Sequence, residues 1–341
     1  MSRSRPVDAA IGATCRPGRQ GTRSMTARIL VIIGLALPGL LMGIRAPLRA
    51  DDSSAALNPE TLKVGFTRRA FLGVNPMDAE AAFKTLARTV GAAKGYDIDI
   101  TIQTFESARH LSRALSAETI NLVILDSWSY LEMTGDGIEP VFVPSDQGRV
   151  ARRYLLLARR DGSLKTLLDL RGRSLNLLAA PNTNLGAHWL QVLLSDRKLG
   201  IPGAFFGVLE DHTDPMAAIL PVFFGKRDAV LVDATKFELM TELNPQLNSL
   251  GAIDASEPLV NAVICLGRSG WSSEVFRQDL VQAMAELHLK PAGQQILTLF
   301  KAGRMVPFVN SHLDTVRRLR ARSAPRQHEI KGAPGSPVAL P

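Results

Sequence analysis

The chain has 341 residues, 46% of them apolar and 21% charged, with a formal charge of +8. The excess sits at the ends: residues 1–50 carry eight Arg against one Asp (+7) and residues 317–341 carry five Arg and one Lys against one Glu (+5), which leaves 51–316 near −4. A basic surface for nucleic-acid phosphates is therefore excluded for the folded body, and two cysteines with six scattered His exclude a disulfide scaffold and a Cys/His metal site.

In chain order, Arg3, Arg5, Arg16, Arg19, Arg23 and Arg28 precede an apolar run from Ile29 to Ile44 and a small-residue zone ending at Ala50. This is the layout of a secretory signal over 1–50, with Met25 as an alternative start. The run, broken by Pro38, falls short of the about 20 residues of a spanning helix. Arg45 and Arg49 beside the cleavage zone keep an uncleaved anchor as the second reading, whereas the lack of a Cys after the run speaks against a lipoprotein.

The remaining elements alternate. A strand at 62–66, a helix at 78–93, a strand at 97–104, a helix at 108–117 and a strand at 121–125 come first. The continuous apolar run Tyr154–Ala158 reads as a strand buried on both faces. One or two helical turns between Ser163 and Gly172 lead to a second apolar strand, Ser174–Ala180. The turn Pro181-Asn182-Thr183-Asn184-Leu185-Gly186 opens a helix over 188–194. Such a turn presents backbone N–H groups, hydroxyls and the positive end of a helix dipole to one point, which suits an anion. The chain returns through 259–266, and helices over 272–289, capped by Ser272 or Ser273, and 291–302 follow. Cys265, inside Ala262–Leu266, reads as a buried core residue.

This order predicts an α/β protein of two lobes joined by two hinge crossings, each lobe a mixed sheet flanked by helices. Lobe 1 comprises 51–152 and 259–320, lobe 2 comprises 153–258, and 321–341 is a disordered basic Pro/Gly tail. Its arginines suit a solvated helix end or anionic headgroups. No Walker loop, no Gly-x-Ser-x-Gly elbow and no Gly-x-Gly-x-x-Gly is present, so the reading is of a non-enzyme that needs no cofactor or metal.

Two stretches carry a family resemblance. Leu168–Leu194 reads as a short helix, Asp169-Leu170-Arg171-Gly172-Arg173, a strand, a polar turn, Gly186 and a helix. Ala218–Asp233 reads as a helix, Gly225-Lys226-Arg227-Asp228-Ala229, a strand and an Asp, and Leu115–Asp126 is a weaker copy. Together they resemble periplasmic substrate-binding proteins of ABC transporters, in the phosphate/phosphite/phosphonate-binding branch, over roughly Leu62 to Leu319. The resemblance implies a type 2 periplasmic binding protein, a Venus-flytrap that closes on its ligand by hinge motion. It also implies an exported, monomeric component that captures a small oxyanion (a phosphonate, phosphite or phosphate ester) and delivers it to an ABC permease of the inner membrane. A sulfonate or carboxylate binder, or a ligand-sensing scaffold on a membrane protein, is the alternative.

Loops at the strand ends facing the cleft supply the candidate ligand contacts. These are Thr67 and Arg68, then Ser127, Trp128 and Tyr130, then the Asn182-Thr183-Asn184 turn, His212 and Asp233. Thr183 and Asn184 also suit helix capping. Trp128 suits the core as well as a cleft wall, Tyr130 a helix start, His212 a surface turn and Arg68 a solvated loop. The resemblance implies that the Asn turn replaces a Ser/Thr-rich turn that wraps the phosphonate oxygens, with amide donors in place of two hydroxyls. It further matches Asp233 to an acid that receives a ligand amine or a protonated phosphonate oxygen.

Overall fold

Apolar strands and side-chain-capped helices assemble into two separate mixed sheets. The structure, a computed structural model, describes residues 57–67, 75–133, 137–178 and 185–323. The expected signal segment 1–50, Arg68, the Asn182-Thr183-Asn184 turn and residues 324–341 lie outside these.

The first elements are β1 (Asn58–Thr67), α1 (Pro76–Ala93), β2 (Tyr96–Phe105), α2 (Ala108–Ser116), β3 (Leu122–Asp126), α3 (Ser127–Glu132) and β4 (Ile138–Ser145). A short strand, β5 (Ala151–Arg152), leads to β6 (Tyr154–Arg159), β7 (Ser174–Leu178), α4 (Leu185–Asp196), α5 (Pro202–Phe205), β8 (Val208–His212), α6 (Pro215–Phe223), β9 (Ala229–Asp233), α7 (Ala234–Leu243) and β10 (Leu250–Ala255). A second short strand, β11 (Leu259–Val260), precedes β12 (Ala262–Gly267), α8 (Glu274–Ala285), α9 (Pro291–Leu299), β13 (Arg304–Pro307) and α10 (Asp314–Ser323).

The six-stranded sheet has the order β13-β4-β12-β3-β1-β2 and the five-stranded sheet the order β10-β6-β9-β7-β8. β5 and β11 pair antiparallel as a separate ribbon, where the chain passes from one sheet to the other and back. In the first sheet β1 runs parallel to β2 and β3, and β12 is antiparallel to β3. In the second, β7 runs parallel to β8 and β9, and β6 is antiparallel to β9. Central β3 sends Val123 and Leu125 into one apolar layer and Leu122 and Ile124 into another. Both of its faces are thus covered, which is why it reads as an unbroken apolar run.

Local chemistry sets the element ends. Ser107, Asp126, Asp214, Asp233 and Ser273 cap α2, α3, α6, α7 and α8 by accepting backbone N–H bonds. Ser273, of the two serines considered, is the cap of α8. The helical turns expected between Ser163 and Gly172 reduce to a 3-10 turn at Leu168–Leu170. There Asp169 accepts from the backbone N–H of Lys165 and Thr166, holding 165–169 as a side-chain-closed turn instead of a helix. Helix α8 stops at Ala285, ahead of the expected 289, and Lys290 before Pro291 is extended, as a residue preceding proline prefers.

The C-terminal helix lies against both sheet bodies. Arg320 donates to the Leu131 carbonyl after α3, Arg322 pairs with Asp196 at the end of α4, and Arg318 pairs with Glu257 at 3.2 Å. Of the arginines read as tail, Arg322 thus has a protein partner, as have Arg318 and Arg320 just before it. Helix α10 also reaches three residues into the stretch read as tail. Among the described residues, no helix is long and apolar enough to cross a membrane.

Candidate ligand-binding site

The C-terminal ends of β3 in one sheet and of β9 in the other meet the β5/β11 ribbon. Ser127 fastens β3 to that ribbon: its N–H donates to the Asn261 carbonyl at 3.0 Å and its Oγ to the Val260 carbonyl at 2.6 Å. From the second sheet, the Tyr154 hydroxyl donates to Asn261 Oδ1 at 3.1 Å. Asn261 is therefore gripped from both sides, at the point where the returning stretch 259–266 divides into β11 and β12. Trp128 of α3 stacks on His188 of α4, with ring centroids 3.8 Å apart and planes 3° from parallel. Its indole N–H donates to Glu132 at 3.1 Å.

Asp126 and Asp233 occupy equivalent places at the ends of β3 and β9. Each is buried and caps the helix that follows. Asp126 accepts from the Ser129 N–H at 2.9 Å and hydroxyl at 2.7 Å. Burial pushes its carboxyl pKa up, against those two hydrogen bonds. Asp233 accepts from Thr235 N at 2.8 Å and Lys236 N at 3.3 Å through Oδ1, and faces Arg152 Nη1 at 3.5 Å through Oδ2. Arg152 also reaches Asp146 Oδ2 at 3.2 Å.

Next to this group stands Lys236, partly buried in the first turn of α7. Burial pushes its ammonium pKa down, Lys301 and Arg152 push the same way, and Asp233 opposes them. The Lys236 ammonium has neither a hydrogen bond nor an ion pair among the described residues. Sequence reasoning passed over Lys236, Lys301 and Arg152. One signal was present: a lysine three residues after a strand-ending Asp cap sits at the positive end of a helix dipole, where a cation is disfavoured.

The remaining candidates separate. Thr67 ends β1 with a buried hydroxyl that has no partner among the described residues, and the hydroxyl of Ser145, at the end of β4, shares that state. Tyr130 is buried edge-on to Phe308 at 6.1 Å, and burial raises its pKa. His212, which also suited a surface turn, instead ends β8, and the Asp214 cap of α6 follows it. Its Nε2 lies 3.8 Å from Glu210. Ser127, Trp128 and Asp233 thus make contacts at the junction of the two sheets, while Thr67 ends β1 of the first sheet, Tyr130 packs on Phe308 and His212 sits on the outer strand of the second sheet.

Residues 72–313 match the family described as ABC transporter, phosphonate, periplasmic substrate-binding protein. No curated protein is significantly similar in sequence. Among solved structures, a protein of Xanthomonas citri bound to ATP is 16% identical with a TM-score of 0.56, over 77% of this chain and 96% of its own. The binding-protein component of an ABC phosphonate transporter from Pseudomonas aeruginosa is 12% identical with a TM-score of 0.54, over 77% of this chain and 86% of its own. PhnD1 from Prochlorococcus marinus, in complex with methylphosphonate, is 15% identical with a TM-score of 0.53, over 78% and 98%. At these identities the likeness is one of fold.

Proposed function

Because the chain belongs to the phosphonate family of periplasmic substrate-binding proteins of ABC transporters, we propose that it is the exported binding component for a small oxyanion of the phosphonate, phosphite or phosphate-ester class. It would hold the anion between two lobes and hand it to an inner-membrane permease. The observation that carries this reading is the family match itself, which covers the β5/β11 ribbon and every strand of both sheets except β1. Donors would come from both sides: the Thr67 hydroxyl and Arg68 from the first lobe, and Asn182, Thr183 and Asn184 from the second. Trp128 would form the wall against which the lobes meet. A binding role without catalysis accords with the family's description as a substrate-binding protein.

Thermal shift against phosphate, phosphite, alkyl- and aminoalkylphosphonates, sulfonates and small carboxylates tests the reading, since a ligand that prefers the folded state raises Tm. A selective response to a phosphorus oxyanion is the expected result. A response confined to sulfonates or carboxylates refutes the phosphorus class, and no response to any of them refutes oxyanion capture. Loss of affinity in the Asn182→Ala, Thr183→Ala and Asn184→Ala variants would place the turn in the site.

A further inference from the structure

The six-stranded body carries a gap in its core. Ile124 is the middle residue of central β3, and its cross-strand neighbours Phe66 of β1 and Ile264 of β12 are 0% and 1% exposed. Ile124 itself is only partly buried. A side chain flanked by buried ones in the middle of a covered sheet is reached only through space above the strand. That space is a cavity of about 100 Å³ between the sheet and helices α1, α8 and α9. Its floor draws on every strand of the sheet, through Met305, Pro144, Ile264, Ile124, Leu62 and Ile98 in the order β13-β4-β12-β3-β1-β2.

Among the described residues, every side chain that lines this cavity is apolar. The backbone beneath it is engaged in the β1/β3 and β3/β12 ladders, and the backbone above it in helices. About three waters would fit at about 30 Å³ each, but a buried water needs about two to four polar partners, which the described walls do not offer. An anion would lose its hydration there with no compensating donor. Protein interiors otherwise have few voids larger than a water, and an unfilled void leaves its lining short of dispersion contacts. Phe83 and Phe300 form an aromatic wall with ring centroids 5.5 Å apart, and the unbranched side chains of Met284 and Met305 can adjust to a guest.

We propose that this cavity is a second binding site, for a neutral apolar molecule of about three or four non-hydrogen atoms at about 30 Å³ each. The walls set the chemical class, since they favour a guest that brings no polar group to be left unpaired. The volume sets the size: a dry cavity of about 150 Å³ admits benzene or xenon, and this one is smaller. Its occupant restores the contacts that α1, α8 and α9 lack over β3 and holds the three helices more firmly on the sheet. The site does not depend on which anion the junction of the two sheets takes.

The test is a titration of the purified full chain with xenon, a neutral apolar sphere, followed by xenon NMR and by Tm. A saturable xenon shift is expected, with a Tm that rises under xenon pressure, because a guest held by the native state alone stabilises it. Ala283→Leu on α8 and Ala87→Leu on α1 fill the cavity from two different helices, since both positions line it. Each variant should lose the saturable xenon binding and, as a cavity-filling change, melt about 1–8 °C higher. The three carbons that one Leu adds take up about 90 Å³ at about 30 Å³ each, nearly the whole cavity, so the double variant should melt lower than either single one. Xenon that associates without saturation, or as strongly with both Leu variants as with the unmodified chain, overturns the site. So does a Tm about 2–12 °C lower in both single variants, the expected effect of forcing carbons into a core that is already filled.

Discussion

Asp233 divides a structural role from a ligand role most sharply, because its carboxylate is 2% exposed and has three protein partners. Replacing it by Ala removes the cap of α7, worth about 1 kcal/mol. It also removes one of the two anions facing Arg152. At 3.5 Å that attraction is on the order of 5 kcal/mol at an effective dielectric of about 20, most of which is offset by desolvation of the pair. Asp146 remains to hold Arg152, so the expected total for Asp233→Ala is about 2–4 kcal/mol. Asn keeps the capping oxygen and loses only the charge, so Asp233→Asn should cost about 1–2 kcal/mol. At roughly 2–4 °C per kcal/mol for a chain of this size, the Ala variant should melt about 4–16 °C lower. Urea unfolding of the unligated protein, followed by circular dichroism, gives both values. If the Ala variant were as stable as the unmodified chain or more so, Asp233 would be a group held for ligand at the expense of stability, and the assignment of its bonds to structure would be wrong.

Further outcomes follow from neighbouring positions. A Cβ at Gly186 would lie 2.8 Å from a Leu231 methyl and 2.9 Å from the Tyr154 ring, so Gly186→Ala should cost about 1–3 kcal/mol in thermal unfolding; a neutral result would mean that α4 packs less tightly on β6 and β9. Asp126 has a raised pKa through burial, so its ionised form opposes folding and its contribution worsens as pH rises from the unfolded value near about 3.9 through the folded one. Asp126→Asn keeps the α3 cap and should therefore be at least as stable as the unmodified chain at neutral pH, with a steeper acid limb in stability against pH because the opposing contribution of Asp126 is gone. A clear loss for Asn at neutral pH would show that the charge itself is needed there. Cys265 is wholly buried and its thiol pKa is pushed up by burial. In a Cys15→Ser chain it should resist iodoacetamide in the native state and react only in denaturant, and rapid native labelling would contradict the packing of β12.

Much of the fold was legible because both kinds of element announce themselves in local chemistry. Apolar runs such as 154–158 and 121–125 became central strands, and Ser273, one of two serines expected to cap, became the cap of α8. Errors arose where a side chain competed with the backbone for hydrogen bonds. Asp169 turned an expected helix into a 3-10 turn. The strand-end rule located Asp126, Ser127 and Asp233, since position in an α/β unit follows from element order. It could not distinguish Trp128, which stacks on His188, from Tyr130, which packs on Phe308, because the two differ only in which neighbour the folded chain brings to them.

By itself, then, the order of residues determined the element types, their caps, the mixed α/β architecture and the family, since each depends on periodicity or on groups a few positions apart. Charge placement depended on tertiary structure. Arg152, Asp146 and Asp233 meet across up to 87 positions of chain, from Asp146 to Asp233, and Lys236 and Lys301 come from different sheet bodies. A Coulomb energy falls with distance in space and takes no account of separation along the chain, so only the folded arrangement decides which opposite charges meet.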